Sequence, residues 1–112
     1  MLNRVGYVIV YVRDMDSMVA FWRDKLGFKP SYVSSDWSEF PLDNIVLALH
    51  HSRDARAGHT GIVFQVDDIH ATVNTLRSMG IEVSEVRDIG VGLEATFIDP
   101  EGNKYNLFQR KP

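Results

Sequence analysis

The chain has 112 residues, a net charge of −3 and no cysteine. This length suits one compact domain or two very small fused halves, and the modest negative charge, without a long basic run, argues against a nucleic-acid binder. Disulfides and thiolate metal ligands are excluded. The first residues lack the apolar stretch of a signal peptide and no apolar run reaches membrane-spanning length, so we expect a cytoplasmic protein.

The first half of the sequence predicts a strand, a helix and three further strands. Residues 5–12 are β-branched and aromatic, which is typical of a strand. Asp14 suits a helix N-cap, an apolar stripe at helical spacing occupies residues 18–26, and Gly27 suits the end of that helix. The three strands that follow are predicted at residues 28–33, 37–40 and 45–51.

The second half predicts the same elements in the same order. Residues 61–66 favour a strand, Asp68 suits an N-cap, residues 69–76 carry a helical apolar stripe, and Gly80 suits the helix end. Turns are predicted at residues 90–92 and 99–102, the second with Pro and Gly at the positions that a type I turn favours. The three strands that follow the helix are predicted at residues 82–86, 93–98 and 104–109.

The two halves also match in sequence. Residues 12–15 (Val-Arg-Asp-Met) correspond to residues 66–69 (Val-Asp-Asp-Ile), and residues 26–28 (Leu-Gly-Phe) correspond to residues 79–81 (Met-Gly-Ile). Such internal similarity at nearly one offset indicates a repeat. We therefore predict the α+β class, with two βαβββ repeats at residues 1–55 and 56–112 within a single domain.

A third motif, Phe-Ile-Asp-Pro-Glu-Gly-Asn at residues 97–103, completes a family signature. With these motifs in this order, almost the whole chain resembles the vicinal oxygen chelate superfamily of glyoxalase I, bleomycin resistance proteins and extradiol dioxygenases. The resemblance implies that each repeat curls into a half-barrel and that two half-barrels face each other around a cleft. In many small members a second chain completes that cleft, so we expect a homodimer.

The resemblance also implies where a metal would bind. Metal-dependent members carry His, Glu or Gln at four inward positions, which correspond here to Tyr7, Gly61, Asn106 and a position near Ala48. Gly and Ala offer no side-chain ligand, and neutral Tyr and Asn are poor ligands for a catalytic divalent cation. We therefore predict no metal and no other cofactor at the family's site.

A displaced metal site is the alternative. His50 shares strand parity with Ala48, and His59 shares it with Gly61, so both histidines could face the cleft, together with Glu39 or Glu94. Such a site would hold Ni, Zn, Mn or Fe. Hydrogen-bonded histidines at the rim of the cleft are the simpler interpretation.

Strand alternation predicts an aromatic cleft with a few polar groups, which is the usual composition of a small-molecule site. Phe21, Phe28, Phe64, Phe97 and Trp22 are interpreted as core instead. The predicted ligand-binding residues are Tyr7, Ile9, Trp37, Phe40, His50, His59, Gly61, Gln65, Asn106 and Phe108.

Two classes of function follow from this cleft, and a regulatory module that keeps only the fold is a weaker third. The favoured hypothesis is a metal-free protein, similar to bleomycin resistance proteins, that binds an aromatic or cationic drug or metabolite in a dimer cleft. The alternative is a divergent lyase, isomerase or dioxygenase, similar to lactoylglutathione lyase, with a displaced metal or with His50 or His59 as general base. We expect no nucleic-acid or membrane partner.

Overall fold

The computed structural model describes all 112 residues, which form two compact units, Met1–Arg56 and Ala57–Pro112. Each unit contains a four-stranded mixed sheet with helical structure after its first strand. This confirms the predicted α+β class and the βαβββ order of both halves. Neither unit contains a helix of the length and apolar character that crossing a membrane requires.

The first unit orders its strands β1-β4-β3-β2, with β1 parallel to β4 and the other neighbours antiparallel. Asp14 is the N-cap of the helix, as predicted, and its carboxylate accepts a hydrogen bond from the Ser17 amide at 3.1 Å. The elements of this unit are β1 (Tyr7–Val12), α1 (Met15–Val19), a π-helical segment (Ala20–Lys25), β2 (Tyr32–Val33), β3 (Trp37–Pro41) and β4 (Val46–His51).

The helix of the first unit differs from the single α-helix predicted, because its second half is π-helical. The Leu26 amide donates to the Phe21 carbonyl at 3.0 Å, five residues earlier rather than four. The wider turn buries two consecutive aromatic residues, Phe21 and Trp22. Apolar spacing alone does not distinguish this geometry from an α-helix. The predicted strand at 28–33 is also reduced to its last two residues.

The second unit repeats the first strand for strand, in the order β5-β8-β7-β6. Asp68 caps its helix through the Ala71 amide at 3.1 Å. The predicted strand at 82–86 is wrong, because that segment forms only an isolated bridge at Val83 and the short strand begins at Arg87. The elements are β5 (His59–Gln65), α2 (Ile69–Ser78), β6 (Arg87–Asp88), β7 (Gly92–Ile98) and β8 (Lys104–Arg110).

Each sheet packs its helix against one face, where the core of the unit lies. In the first unit α1 packs on β4, and in the second α2 packs on β7 and β8. The core consists of helix-facing side chains from β1, β4, β7 and β8, for example Val12, Leu49, Phe97 and Leu107. The other face of each sheet carries none of its unit's helix and is called its open face below.

A buried polar cluster ties the last turn of the second unit to its sheet. The Asp99 carboxylate accepts hydrogen bonds from the Glu101 and Asn103 amides at 2.8 and 3.0 Å, from Asn103 Nδ2 at 3.0 Å and from the Tyr105 hydroxyl at 2.6 Å. The cluster is almost fully buried. The Asp-Pro-Glu-Gly-Asn segment therefore serves the second sheet as a structural staple.

Candidate functional site

The open face of the first sheet is lined by aromatic side chains. The strand register places Tyr11, His50 and Trp37 side by side across three strands. The His50 ring centroid lies 5.5 Å from that of Tyr11 and 5.4 Å from that of Trp37, and the Tyr7 ring meets Trp37 edge-on at 6.1 Å. We call these four residues, Tyr7, Tyr11, Trp37 and His50, the aromatic patch.

One row of the sheet lies between Tyr7 and the other three residues of the aromatic patch. The next row of the register contains Ile9, Ala48 and Glu39. Ala48 is fully buried, while Ile9 is 42% exposed and Tyr7 and Tyr11 are about half exposed. Three strands and three rows of side chains span about 10 by 13 Å, an area comparable to that of two or three fused aromatic rings.

One carboxylate is fixed within this face. The Trp37 indole Nε1–H donates a hydrogen bond to Glu39 Oε2 at 2.9 Å. This bond orients the indole ring and holds the negative charge beside it. A cation near an aromatic face and a carboxylate is stabilised by both groups. The arrangement therefore suits an aromatic ligand and favours a positively charged one.

One residue predicted to bind ligand lies on the wrong face of the first sheet. Tyr7, Ile9, Trp37 and His50 lie on the open face, as the alternation indicated. Phe40 does not: it pairs with Leu47 on the helix-facing side and is fully buried. Residues three apart on a strand point to opposite faces, so Trp37 and Phe40 cannot both line one surface.

The open face of the second sheet is more polar than that of the first. His59 pairs with Lys104, Val63 with Asn106, and Gln65 with Phe108. The Thr96 hydroxyl donates to Asn106 Oδ1 at 3.1 Å, and the Arg110 guanidinium lies 5.7 Å from the Phe108 ring centroid. The predicted residues His59, Gln65, Asn106 and Phe108 thus share one face.

Gly61 lies in an irregular stretch of β5 rather than in regular pairing. The register shifts between His59 and Val63, and Gly61 has a φ of 74°, which a residue with a side chain rarely adopts. The Thr60 hydroxyl donates to the Lys104 carbonyl at 2.8 Å and accepts from the Ile62 amide at 3.2 Å. Gly61 therefore has a backbone role, and its position offers no ligand atom from a side chain.

The residues at the family's metal positions do not fit a divalent metal ion. Tyr7 and Ala48 lie on the open face of the first sheet, and Asn106 and Gly61 lie on β8 and β5 of the second. Among them only a neutral phenol and a neutral amide carry side-chain ligand atoms. No three His, Cys, Asp or Glu side chains are grouped closely enough to hold a metal. Glu94, weighed for a displaced site, is ion-paired with Arg87 at 2.6 Å.

The open face of the second sheet also carries two polar residues, Lys104 and Thr96, that the predicted set does not include. Lys104 has the same parity as Asn106 and Phe108 on β8, so alternation alone could have found it. Thr96 contacts Asn106, and that contact depends on the cross-strand register. The register itself is set by the turn at Asp99, which the sequence motif located without giving the pairing.

Comparison with known proteins assigns the class. The profile of the Glyoxalase/Bleomycin resistance protein/Dioxygenase superfamily matches residues 4–107. The chain therefore belongs to this superfamily, as the sequence motifs predicted. A curated relative is the uncharacterized protein YetH of Bacillus subtilis (strain 168), which is 25% identical over 118 residues, covering 96% of this chain and 98% of YetH.

Solved structures share the fold. TnmS3, an antibiotic binding protein from Streptomyces sp. CB03234, superposes with a TM-score of 0.86 and 22% identity, over 98% of both chains. Lactoylglutathione lyase from Agrobacterium tumefaciens superposes with a TM-score of 0.81 and 17% identity, over 96% of this chain and 93% of the enzyme. The same fold thus serves a binding protein and an enzyme, so the residues of the site must decide between them.

Proposed function

We propose that this protein binds a planar aromatic small molecule, preferentially a cationic one, without a metal. The aromatic patch is the observation that carries the proposal, because Tyr7 and Tyr11 are exposed and Trp37 is half-buried around the buried Ala48. A surface on which large aromatic side chains stay exposed together is a binding site more often than an average surface is. The antibiotic-binding description of TnmS3 supports the same kind of function.

Binding is favoured over catalysis by the side chains at the family's metal positions. Tyr7, Ala48, Gly61 and Asn106 supply no carboxylate or imidazole, so a ligand would be held by stacking and hydrogen bonds. His50 is packed between Tyr11 and Trp37 and fits the role of a stacking residue. No cysteine is present to act as a nucleophile.

We further propose that a second copy of the chain closes the open face of the first sheet into a dimer cleft. The exposure of Tyr7, Ile9 and Tyr11 supports this, because a small chain gains stability by burying such surface. Sedimentation equilibrium tests it directly. A species of twice 12.7 kDa at micromolar concentration is the expected result, and a monomer at 100 μM contradicts the dimer.

Tryptophan fluorescence tests the binding function, because the two tryptophans differ in exposure. Trp22 is fully buried, whereas Trp37 is half-buried on the aromatic patch. N-Methylquinolinium, a planar aromatic cation, should quench the emission of Trp37 saturably. Neutral quinoline at pH 8 should bind about fivefold more weakly, since it lacks the cation that the indole and Glu39 attract.

Two adjacent histidines provide matched variants for the same titration. His50 lies in the aromatic patch, and His51 points to the other face of β4 and is exposed. His50→Ala should weaken N-methylquinolinium binding about fivefold, which corresponds to the loss of one ring contact. His51→Ala should leave the affinity unchanged. Equal effects of the two variants would contradict the assignment of this face.

A further inference from the structure

The open face of the second sheet presents hydrogen-bond donors in excess of acceptors. Lys104 and Asn106 project from the same face of β8, and His59 lies directly across from Lys104. The one carboxylate that the strands place on this face, Glu94, is already ion-paired with Arg87 at 2.6 Å. The charge that remains for a ligand on this face is therefore positive.

Asn106 is oriented so that its donors are free. The Thr96 hydroxyl donates to Asn106 Oδ1 at 3.1 Å, which occupies the acceptor of the amide. Asn106 Nδ2 donates to no group of the chain, so two N–H bonds are available at this half-buried position. Half-buried donors without partners are satisfied by water or by a ligand that brings oxygen atoms.

The Lys104 ammonium is the nearest cation on the same strand. It forms no ion pair within the chain and is only partly exposed. Side chains two residues apart on one strand are about 7 Å apart at their Cα atoms, and the flexible lysine stem shortens that reach. One carboxylate can therefore accept from Asn106 Nδ2 and from Lys104 Nζ together.

An apolar surface adjoins these donors. Val63, which is 53% exposed, lies across from Asn106, and Phe108 is the next residue on this face of β8. The Arg110 guanidinium lies over the Phe108 ring. The ring also occupies the space that a side chain at Gly92 would fill. An aromatic ring can rest on Val63 and Phe108 while its acid group reaches the donors.

We propose that the open face of the second sheet binds the carboxylate of a small aromatic acid. Asn106 and Lys104 hold the carboxylate, Val63 and Phe108 contact the ring, and Thr96 is a positioning residue that turns the Asn106 amide toward the ligand. This names a ligand class for the second unit and rests on the small-molecule-binding function proposed above.

Titration of the ¹⁵N-labelled protein with 2-naphthoate, followed by NMR, tests the proposal. The side-chain amide signals of Asn106 and the backbone amide of Lys104 should shift saturably. The same concentrations of 2-naphthylmethylammonium, which has the same rings and the opposite charge, should produce far smaller shifts at these residues. Equal shifts with both compounds, or none with 2-naphthoate, would overturn the proposal.

Variants separate the carboxylate contacts from general electrostatics. Lys104→Met and Asn106→Asp should each weaken 2-naphthoate binding about tenfold, because each removes one charge-assisted bond or replaces a donor by an acceptor. Lys29→Met removes the same charge from an exposed lysine outside the second unit and should change the affinity less than twofold. Affinity equal to that of the wild type in both site variants would refute the assignment.

The role of Thr96 has its own test. Thr96→Val should weaken 2-naphthoate binding about threefold and broaden the Asn106 side-chain signals, since the amide can then turn its oxygen to the ligand. Thr96→Ser keeps the hydroxyl and should restore both. Quenching of Trp37 by N-methylquinolinium in the same samples reports the first sheet independently. Failure of the acid site alone therefore differs from failure of the proposed binding function.

Discussion

Replacing Asp99 by Ala should destabilise the second unit more than any single substitution at its surface. The carboxylate accepts four hydrogen bonds, and two of the donors, Asn103 Nδ2 and the Tyr105 hydroxyl, belong to side chains that are buried. A bond to a charged acceptor contributes about 1.5–3 kcal/mol, and a buried donor left without a partner loses a similar amount. The two side-chain donors alone give a loss of about 4 kcal/mol.

Urea unfolding followed by circular dichroism measures this loss as a change in the free energy of unfolding. Asp99→Asn keeps one acceptor oxygen and should lose about 2 kcal/mol, half the effect of Asp99→Ala. Asp67→Ala, at an exposed aspartate of the same unit, should change the free energy by less than about 0.5 kcal/mol. A loss below about 1 kcal/mol for Asp99→Ala would refute the staple role of this carboxylate.

Two further predictions concern the same sheet. Burial and the neighbouring Asp99 charge raise the pKa of Tyr105 above its ordinary value of 10.0, so the folded state holds this proton more tightly than the unfolded chain. The stabilisation from this bound proton is full below pH 10 and falls above it by about 1.4 kcal/mol per pH unit. The urea midpoints of the wild type and of Tyr105→Phe, compared at pH 8 and at pH 11, measure this fall. A difference between the two proteins that is the same at both pH values would contradict the prediction. Gly92→Ala should lower the free energy of unfolding by about 1–3 kcal/mol, because a Cβ there would lie 2.3 Å from the Gln109 carbonyl oxygen and 2.7 Å from the Phe108 ring. Gly58→Ala is the control and should be neutral, because nothing lies within 4 Å of a Cβ at that position. Equal thermal stability of the two variants would show that Phe108 is not confined.

The fold was predictable because each half carries its own helix N-cap and its own helix-ending glycine. Asp14 and Asp68 cap the helices as the sequence indicated, and the repeated motifs fixed the order of the strands. The short strands were the weak point. Residues 28–33 and 82–86 contain β-favouring side chains, but their pairing depends on neighbours rather than on local sequence.

The candidate site was predictable to the extent that strand alternation determines it. Tyr7, Ile9 and His50 follow the period of two and lie on the open face of the first sheet. Phe40 was assigned by its chemistry instead of its parity, and it lies in the core. Thr96 contacts the predicted residue Asn106 through a cross-strand hydrogen bond, which sequence spacing does not encode.

The most direct test of the central claim is the quenching of Trp37 by N-methylquinolinium. In the wild-type protein the emission should fall along a saturable curve, and in Trp37→Phe, where only the buried Trp22 emits, the compound should leave it unchanged. Saturable quenching that disappears with Trp37 and weakens about fivefold in His50→Ala is the result that the aromatic patch predicts. Absence of saturable quenching in the wild type, or quenching that survives Trp37→Phe, would contradict a binding site on this face.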